Sequence, residues 1–135
     1  MKRVVLDASA VMAFFEDRAG AEKVEELIGL AVSGKRELLM SVVNWGEVYY
    51  ATWHERGREA AQKTLAEIAQ LPIEIVDADF ALTRLAAEFR GQHKLPYADC
   101  FAAALAAGRK ASLATTDKDF AQIEKQVAVN WVNAG

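Results

Sequence analysis

The chain is poor in the features that usually announce a chemistry. It has one cysteine, Cys100, two histidines, His54 and His93, and no excess of positive charge. A single cysteine excludes an intramolecular disulfide and fits a cytoplasmic location. No apolar run approaches the roughly 20 residues that a membrane helix needs. The opening Met1-Lys2-Arg3-Val4-Val5-Leu6-Asp7 brings a carboxylate too early for a signal peptide. No segment is low in complexity, and neither repeat nor linker is visible, which argues against disorder. The net charge of −3 argues against a basic surface that coats nucleic acid without specificity. Neither histidine has a convincing acid–base partner, so both read as surface residues. Cys100 reads as a small buried hydrophobe rather than a reactive thiol.

What remains is enough for one domain, 1–135: 53% of the residues are apolar and 26% charged, a globular balance with a real core. Residues 3–7 are short, apolar and β-branched, which predicts a buried strand. Ser9 is placed to cap a helix through Val11, Met12, Phe14 and Phe15. Residues 20–33 carry Ala21, Val24, Leu27, Ile28 and Ala31 at helical spacing, with Gly34 as terminator. A second strand is expected at 38–40 and a long helix from 42 to 54, broken by Gly57. Another helix, 58–70, is ended by Pro72. The third strand is 73–76, and Asp79 opens a helix containing Phe80, Leu82, Leu85, Ala86 and Phe89. Pro96 starts the next helix, 97–107, which Gly108 closes. A fourth strand at 112–115, a short helix at 118–125 and a fifth strand at 129–132 complete the pattern.

Strands alternating with helices along the whole length predict an α/β fold, a parallel sheet flanked by helices on both faces. Ligands of such sheets sit beyond the strand C-termini, where strand order reverses. Trp45, Tyr49 and Trp53 recur every four residues and share one helix face, which suits a core or a partner surface equally. Ala102, Ala103, Ala106 and Ala107 allow their helix to pack closely on the sheet. Lys35, Arg36, Arg84, Arg90, Lys94, Arg109, Lys110 and Lys118 are candidates for a local phosphate-binding rim, against the plainer reading of a solvated surface.

Four carboxylates carry the chemistry. Asp7 follows Val4-Val5-Leu6, Glu47 lies in Asn44-Trp45-Gly46-Glu47, Asp99 follows Leu95-Pro96-Tyr97-Ala98, and Asp117 follows Leu113-Ala114-Thr115-Thr116. Each alone has an ordinary explanation: Asp7 a turn, Glu47 a solvated helix face, Asp99 a favoured place in a first helical turn, Asp117 an N-cap. Brought together, they make a pocket that must take up protons or bind a cation. Hard divalent ions prefer such oxygen ligands, and a water on such an ion is a ready nucleophile toward a phosphodiester.

The segments Val4-Val5-Leu6-Asp7-Ala8-Ser9-Ala10, Asn44-Trp45-Gly46-Glu47, Leu95-Pro96-Tyr97-Ala98-Asp99-Cys100-Phe101 with its Ala-rich continuation, and Leu113-Ala114-Thr115-Thr116-Asp117-Lys118-Asp119-Phe120 stand in this order in a chain of this length. In them the sequence resembles the PIN-domain ribonucleases over essentially its whole length, and most of all the small VapC-like toxins of toxin–antitoxin pairs. The resemblance implies a three-layer sandwich with sheet order 3-2-1-4-5. It implies an endoribonuclease dependent on Mg2+ or Mn2+, and a cognate antitoxin that occupies the active-site groove. Asp7 and Asp99 are the expected direct metal ligands. Asp117 completes the site directly or through water, and Glu47 binds a second ion or orients the attacking water. Thr115 or Thr116 is expected to hydrogen-bond a carboxylate or a substrate phosphate, and Asp119 resembles a fifth, peripheral acid. The Trp45, Tyr49 and Trp53 face, with Phe14 and Phe15, is the candidate surface for the antitoxin or for a homodimer. The rivals are a housekeeping PIN nuclease in RNA maturation, a receiver-type phosphoacceptor domain, and an inactive binding module on the same fold. Asp7 lacks the acidic neighbour that a receiver needs.

Overall fold

The computed structural model describes residues 2–134. Along the chain it forms β1 (Lys2–Leu6), α1 (Ala8–Phe15), α2 (Ala21–Val32), β2 (Arg36–Ser41), α3 (Val42–Arg56), α4 (Arg58–Ile68), β3 (Ile73–Val76), α5 (Phe80–Gln92), α6 (Tyr97–Arg109), β4 (Ser112–Thr115), a 3-10 turn (Lys118–Ile123) and β5 (Val129–Trp131). All four strand pairings are parallel, in the order β3-β2-β1-β4-β5. Val4 lies opposite Leu38 on one side and Ser112 on the other. The expected α/β fold with order 3-2-1-4-5 is therefore the one observed. A receiver domain has its first strand between the second and third, order 2-1-3-4-5. Here β1 lies between β2 and β4, which contradicts that rival.

Period-two alternation in the strands explains the three layers. Val5, Leu39 and Leu113 face one way, into a cluster with Phe89, Leu95, Phe101, Leu105 and Phe120 from the α5–α6 side. Val4, Leu6, Leu38, Met40 and Ala114 face the other way, onto Val11, Val24, Leu27, Val48 and Ile68 of α1 to α4. Both faces of the sheet are covered, as a parallel sheet requires. The chain winds β1, β2, β3 in one direction and then crosses back to β4. The switch point thus falls between β1 and β4, above Leu6 and Thr115. Among the described residues no helix is long and apolar enough to cross a membrane.

Several element ends differ from expectation, each for a local reason. Ser9 does not cap α1: Asp7 does, its carboxylate accepting from the Ala10 amide. Gly57, at φ 94°, breaks the chain after α3, in a region that side chains rarely adopt. Helix α4 stops at Ile68, before Pro72 is reached. Gly108 lies inside α6, and Lys110 takes the left-handed terminating conformation at φ 53°. The segment after Asp117 is a 3-10 turn and not an α-helix. In α6 the closely packed small residues are Ala102, Ala103, Ala104 and Ala106, whereas Ala107 is exposed. His54 is exposed, but His93 is half-buried, stacked on Phe89 and bonded to Gln126 at 3.0 Å. Cys100 is fully buried.

The aromatic face of α3 is split between its two readings. Trp45 and Tyr49 are half-buried, and Trp45 packs on the core beneath α1 to α4. Trp53 is 43% exposed and lies under the Arg58 guanidinium, 5.3 Å from the ring centre. Trp45→Ala should therefore cost about 2–3 kcal/mol of stability through lost packing. Trp53→Ala should cost less than about 1 kcal/mol, a surface cation–π contact and little more. Thermal melts of the two variants side by side test the split, and equal losses would contradict it.

Candidate active site

The loops beyond the C-terminal ends of β1 and β4 are tied by a small polar network. Asp7 is 2% exposed. Its Oδ1 accepts from the Ala10 amide at 2.9 Å and the Ser9 hydroxyl at 2.8 Å, and its Oδ2 accepts from the Thr115 hydroxyl at 2.6 Å. The Thr115 oxygen in turn accepts the Asp117 amide at 2.9 Å, and the Ser9 oxygen accepts the Thr116 amide at 3.0 Å. One carboxylate, two hydroxyls and three backbone amides thereby satisfy one another, with Asp7 and Thr115 themselves buried. The network sets the positions of Asp7 and Asp117 relative to each other across the switch point.

The other two acids come from helices. Glu47 projects from α3, and its Oε1 accepts from the Asn44 side-chain amide at 2.7 Å. The same amide donates to the Ala98 carbonyl at 3.0 Å, in the first turn of α6 and next to Asp99. Asn44 is fully buried, so this link anchors α3 to the start of α6. Asp117 caps the 3-10 turn by accepting the Asp119 amide at 2.9 Å.

Asp7, Glu47, Asp99 and Asp117 line one open pocket of about 450 Å3, with Met12, Thr116 and Asn133 on its walls. Among the described residues Arg18 is the one cation in that lining, and it is engaged by Glu16 at 2.6 Å and Glu55 at 3.4 Å. The acids therefore lack a compensating base. Burial, followed by the charges of Asp117, Glu47 and Asp7 and a hydrogen bond with Asp117, pushes Asp99 up to about 8. Burial also raises Asp7 to about 6, against the lowering effect of its bonds from Thr115, Ala10 and Ser9. Glu47 is raised too, by burial and then by Asp117, with the Asn44 bond opposing.

Of the residues singled out from sequence, the four acids and Thr116 meet at this pocket. Thr115 lies buried behind it, bonded to Asp7. Asp119 is exposed and does not line the pocket. The candidate cationic rim does not surround it either: Arg36, Arg109 and Lys110 gather at the other end of the sheet. Sequence reasoning missed Ser9 as a bridge, Asn44 as a clamp and Arg18 as a wall. Asn44 had a visible signal, an amide three residues before a glutamate on one helix face.

The donor set is entirely hard oxygen, which suits Mg2+ or Mn2+ and not the imidazole and thiolate sites of zinc. Among the described residues no three acid, histidine or cysteine side chains stand close enough to enclose an ion as placed. Four crowded carboxylates, one held protonated near neutrality, are nevertheless what a cation would draw together.

Comparison with solved structures finds the same architecture repeatedly. A chain of VapBC2 from Rickettsia felis, bound to a DNA fragment from its promoter, matches with a TM-score of 0.73 at 20% identity, over 95% of this chain and 97% of that one. A chain of the VapBC-5 toxin–antitoxin system from Mycobacterium tuberculosis matches with a TM-score of 0.65 at 25% identity, over 96% and 97%. The sarcin-ricin loop cleaving toxin VapC20, also from Mycobacterium tuberculosis, matches with a TM-score of 0.69 at 17% identity, over 88% and 93%. Comparison with curated protein sequences gives no match. The model of the PIN domain matches residues 4–126. The match spans all four acids, and the chain belongs to the PIN-domain family, with VapC toxins of VapBC toxin–antitoxin systems as its structural neighbours.

Proposed function

We propose that the chain is a Mg2+- or Mn2+-dependent endoribonuclease that acts as the toxin of a toxin–antitoxin pair. The observation that carries this reading is the meeting of four carboxylates from four separate segments around one pocket whose lining, among the described residues, holds no free base to neutralise them. PIN membership supports the nuclease chemistry, and structural neighbours crystallised as toxin–antitoxin complexes support the partner.

Asp7 and Asp99 are assigned to hold the ion, and Asp117 to complete its surroundings directly or through water. A bound divalent ion would supply a water of lowered pKa and would offset the charge of a scissile phosphate. Glu47, held by the Asn44 amide, would orient such a water or accept its proton. Thr115 and Ser9 keep Asp7 in place, so that the pocket is preorganised without touching RNA. Thr116 lines the wall and offers its hydroxyl to a substrate phosphate. Asp119 supports Asp117 through its amide, which needs no carboxylate.

The test is cleavage of total cellular RNA by the chain purified free of any partner. A chelator should abolish cleavage, and Mg2+ or Mn2+ should restore it. Full activity in chelator would contradict the metal mechanism. In the same assay Asp119→Asn should lose less than about tenfold, the scale of a peripheral support. A loss as severe as that of Asp99→Asn would show that the acids are ranked wrongly.

A further inference from the structure

The end of the sheet opposite the acidic pocket carries a second concavity, of about 680 Å3. Lys2 and Arg3 enter it from the start of β1, Arg36 from the start of β2, and Arg109 and Lys110 from the end of α6. Among the described residues five cations thus share one groove in a chain whose net charge is −3. Two are answered locally: Arg3 pairs with Glu37 at 3.2 Å, and Arg109 with Glu74 at 3.9 Å. Among the described residues Lys2, Arg36 and Lys110 have no carboxylate partner. Cations at a helix C-terminus favour the helix dipole, which accounts for Arg109 and Lys110. It does not account for Lys2, Arg3 and Arg36, which belong to two neighbouring strand starts. Like charges so gathered repel one another and attract a polyanion.

We infer that this groove binds the phosphate backbone of single-stranded RNA away from the acidic pocket. The choice of RNA over an acidic peptide rests on the proposed function. Four carboxylates repel a phosphate chain, so affinity for RNA must be supplied by another part of the surface. The two poles lie at the ends of the central strand β1, roughly 17 Å apart at strand rise from Lys2 to Asp7. From Val4 to Leu6 the strand is buried, so RNA joining the poles passes around the outside of the flanking helices and spans more than that distance. Arg36 and Lys110 offer phosphate donors, and contacts to phosphate position a nucleic acid without carrying sequence information.

The experiment follows binding of a fluorescein-labelled single-stranded RNA, about 20 nucleotides long, by anisotropy in chelator over a range of salt concentrations. The full chain is compared with Arg36→Gln/Lys110→Gln and with Lys2→Gln/Lys110→Gln; Lys2 and Lys110 are exposed and Arg36 is half-buried, so the second pair keeps the test independent of any folding cost at Arg36. Each double variant should bind about tenfold more weakly at moderate salt, with a salt slope shallower by about 1.4, the share of two phosphate contacts on a single strand. Arg36→Lys/Lys110→Arg, which keeps the charge, should bind like the wild type. Unchanged affinity and slope in both neutral variants, with RNA still cleaved in Mg2+, would overturn the groove and leave the nuclease reading intact. An oligoglutamate peptide that binds the wild type, fails on the variants and outcompetes RNA would assign the groove to a protein partner and overturn the proposal. RNA neither bound nor cleaved by the wild type would remove the proposed function, and the RNA assignment with it.

Discussion

Asp99→Asn is expected to lower RNA cleavage by about a thousandfold while making the metal-free protein more stable. The first effect removes a charged oxygen from the proposed cation site, where several kcal/mol of charge stabilisation, about 1.4 for each factor of ten, are at stake. The second follows from the crowding. Asp99 has a pKa of about 8 in the fold against an ordinary 3.8. Between those values the folded chain holds a proton that the unfolded chain has lost. Stability from this group is therefore complete below pH 4, falls as pH rises through 8, and is flat beyond. Asparagine never ionises and escapes that fall. At pH 8 the metal-free variant should melt about 5 °C above the wild type, the shift of roughly 1–2 kcal/mol once solvent screening at this half-buried position is allowed for. The wild type should also release a proton when it binds Mn2+ at pH 7, and the variant should release less. A variant that cleaves RNA normally, or that melts lower than the wild type, contradicts this account of Asp99.

Asp7 should separate into two roles. Its carboxylate caps α1 through the Ala10 amide and, by proposal, holds the ion. Asp7→Asn keeps an oxygen that can cap the helix and accept from Ser9, so the fold should survive while cleavage falls by about a thousandfold. Asp7→Ala should lose the same activity and also roughly 2–4 kcal/mol of stability. The cap would vanish, and the Thr115 hydroxyl and the Ala10 amide would lose their acceptor in a buried setting. Denaturant melts beside cleavage assays measure both. Equal stability of the two variants would mean that the cap and the buried network contribute little.

The fold was readable because its signals are local and redundant. Val4, Val5 and Leu6 form a short apolar run, the 73–76 and 112–115 segments are short with apolar residues among polar ones, and each is bounded by turn or helix chemistry that agrees with it. The ends of elements were less readable, because rival caps compete within a few residues. Ser9 and Asp7 both offer a capping oxygen, and only the fold reveals that Ser9 is needed by Asp7 and Thr116. Gly108 looked like a stop, yet Lys110 adopts the left-handed turn two residues later. Phe80 sits in an apolar helix pattern but is 97% exposed in the first turn of α5, whose buried positions are Ala86 and Phe89. The four acids could be picked out along the chain, but not the separation of charge. That Arg36, Arg109 and Lys110 meet Lys2 and Arg3 at the far pole depends on strand order and helix direction, which no spacing along the chain reveals.

The most direct test of the four-carboxylate site is a crystal of the chain soaked in Mn2+ and examined by anomalous scattering at the manganese edge. A peak is expected in the pocket bounded by Asp7, Glu47, Asp99 and Asp117, with carboxylate oxygens at about 2.0–2.3 Å, and no peak there in Asp99→Asn under the same soak. A peak elsewhere, or none in that pocket while the same preparation cleaves RNA in Mn2+, would contradict the four-carboxylate site.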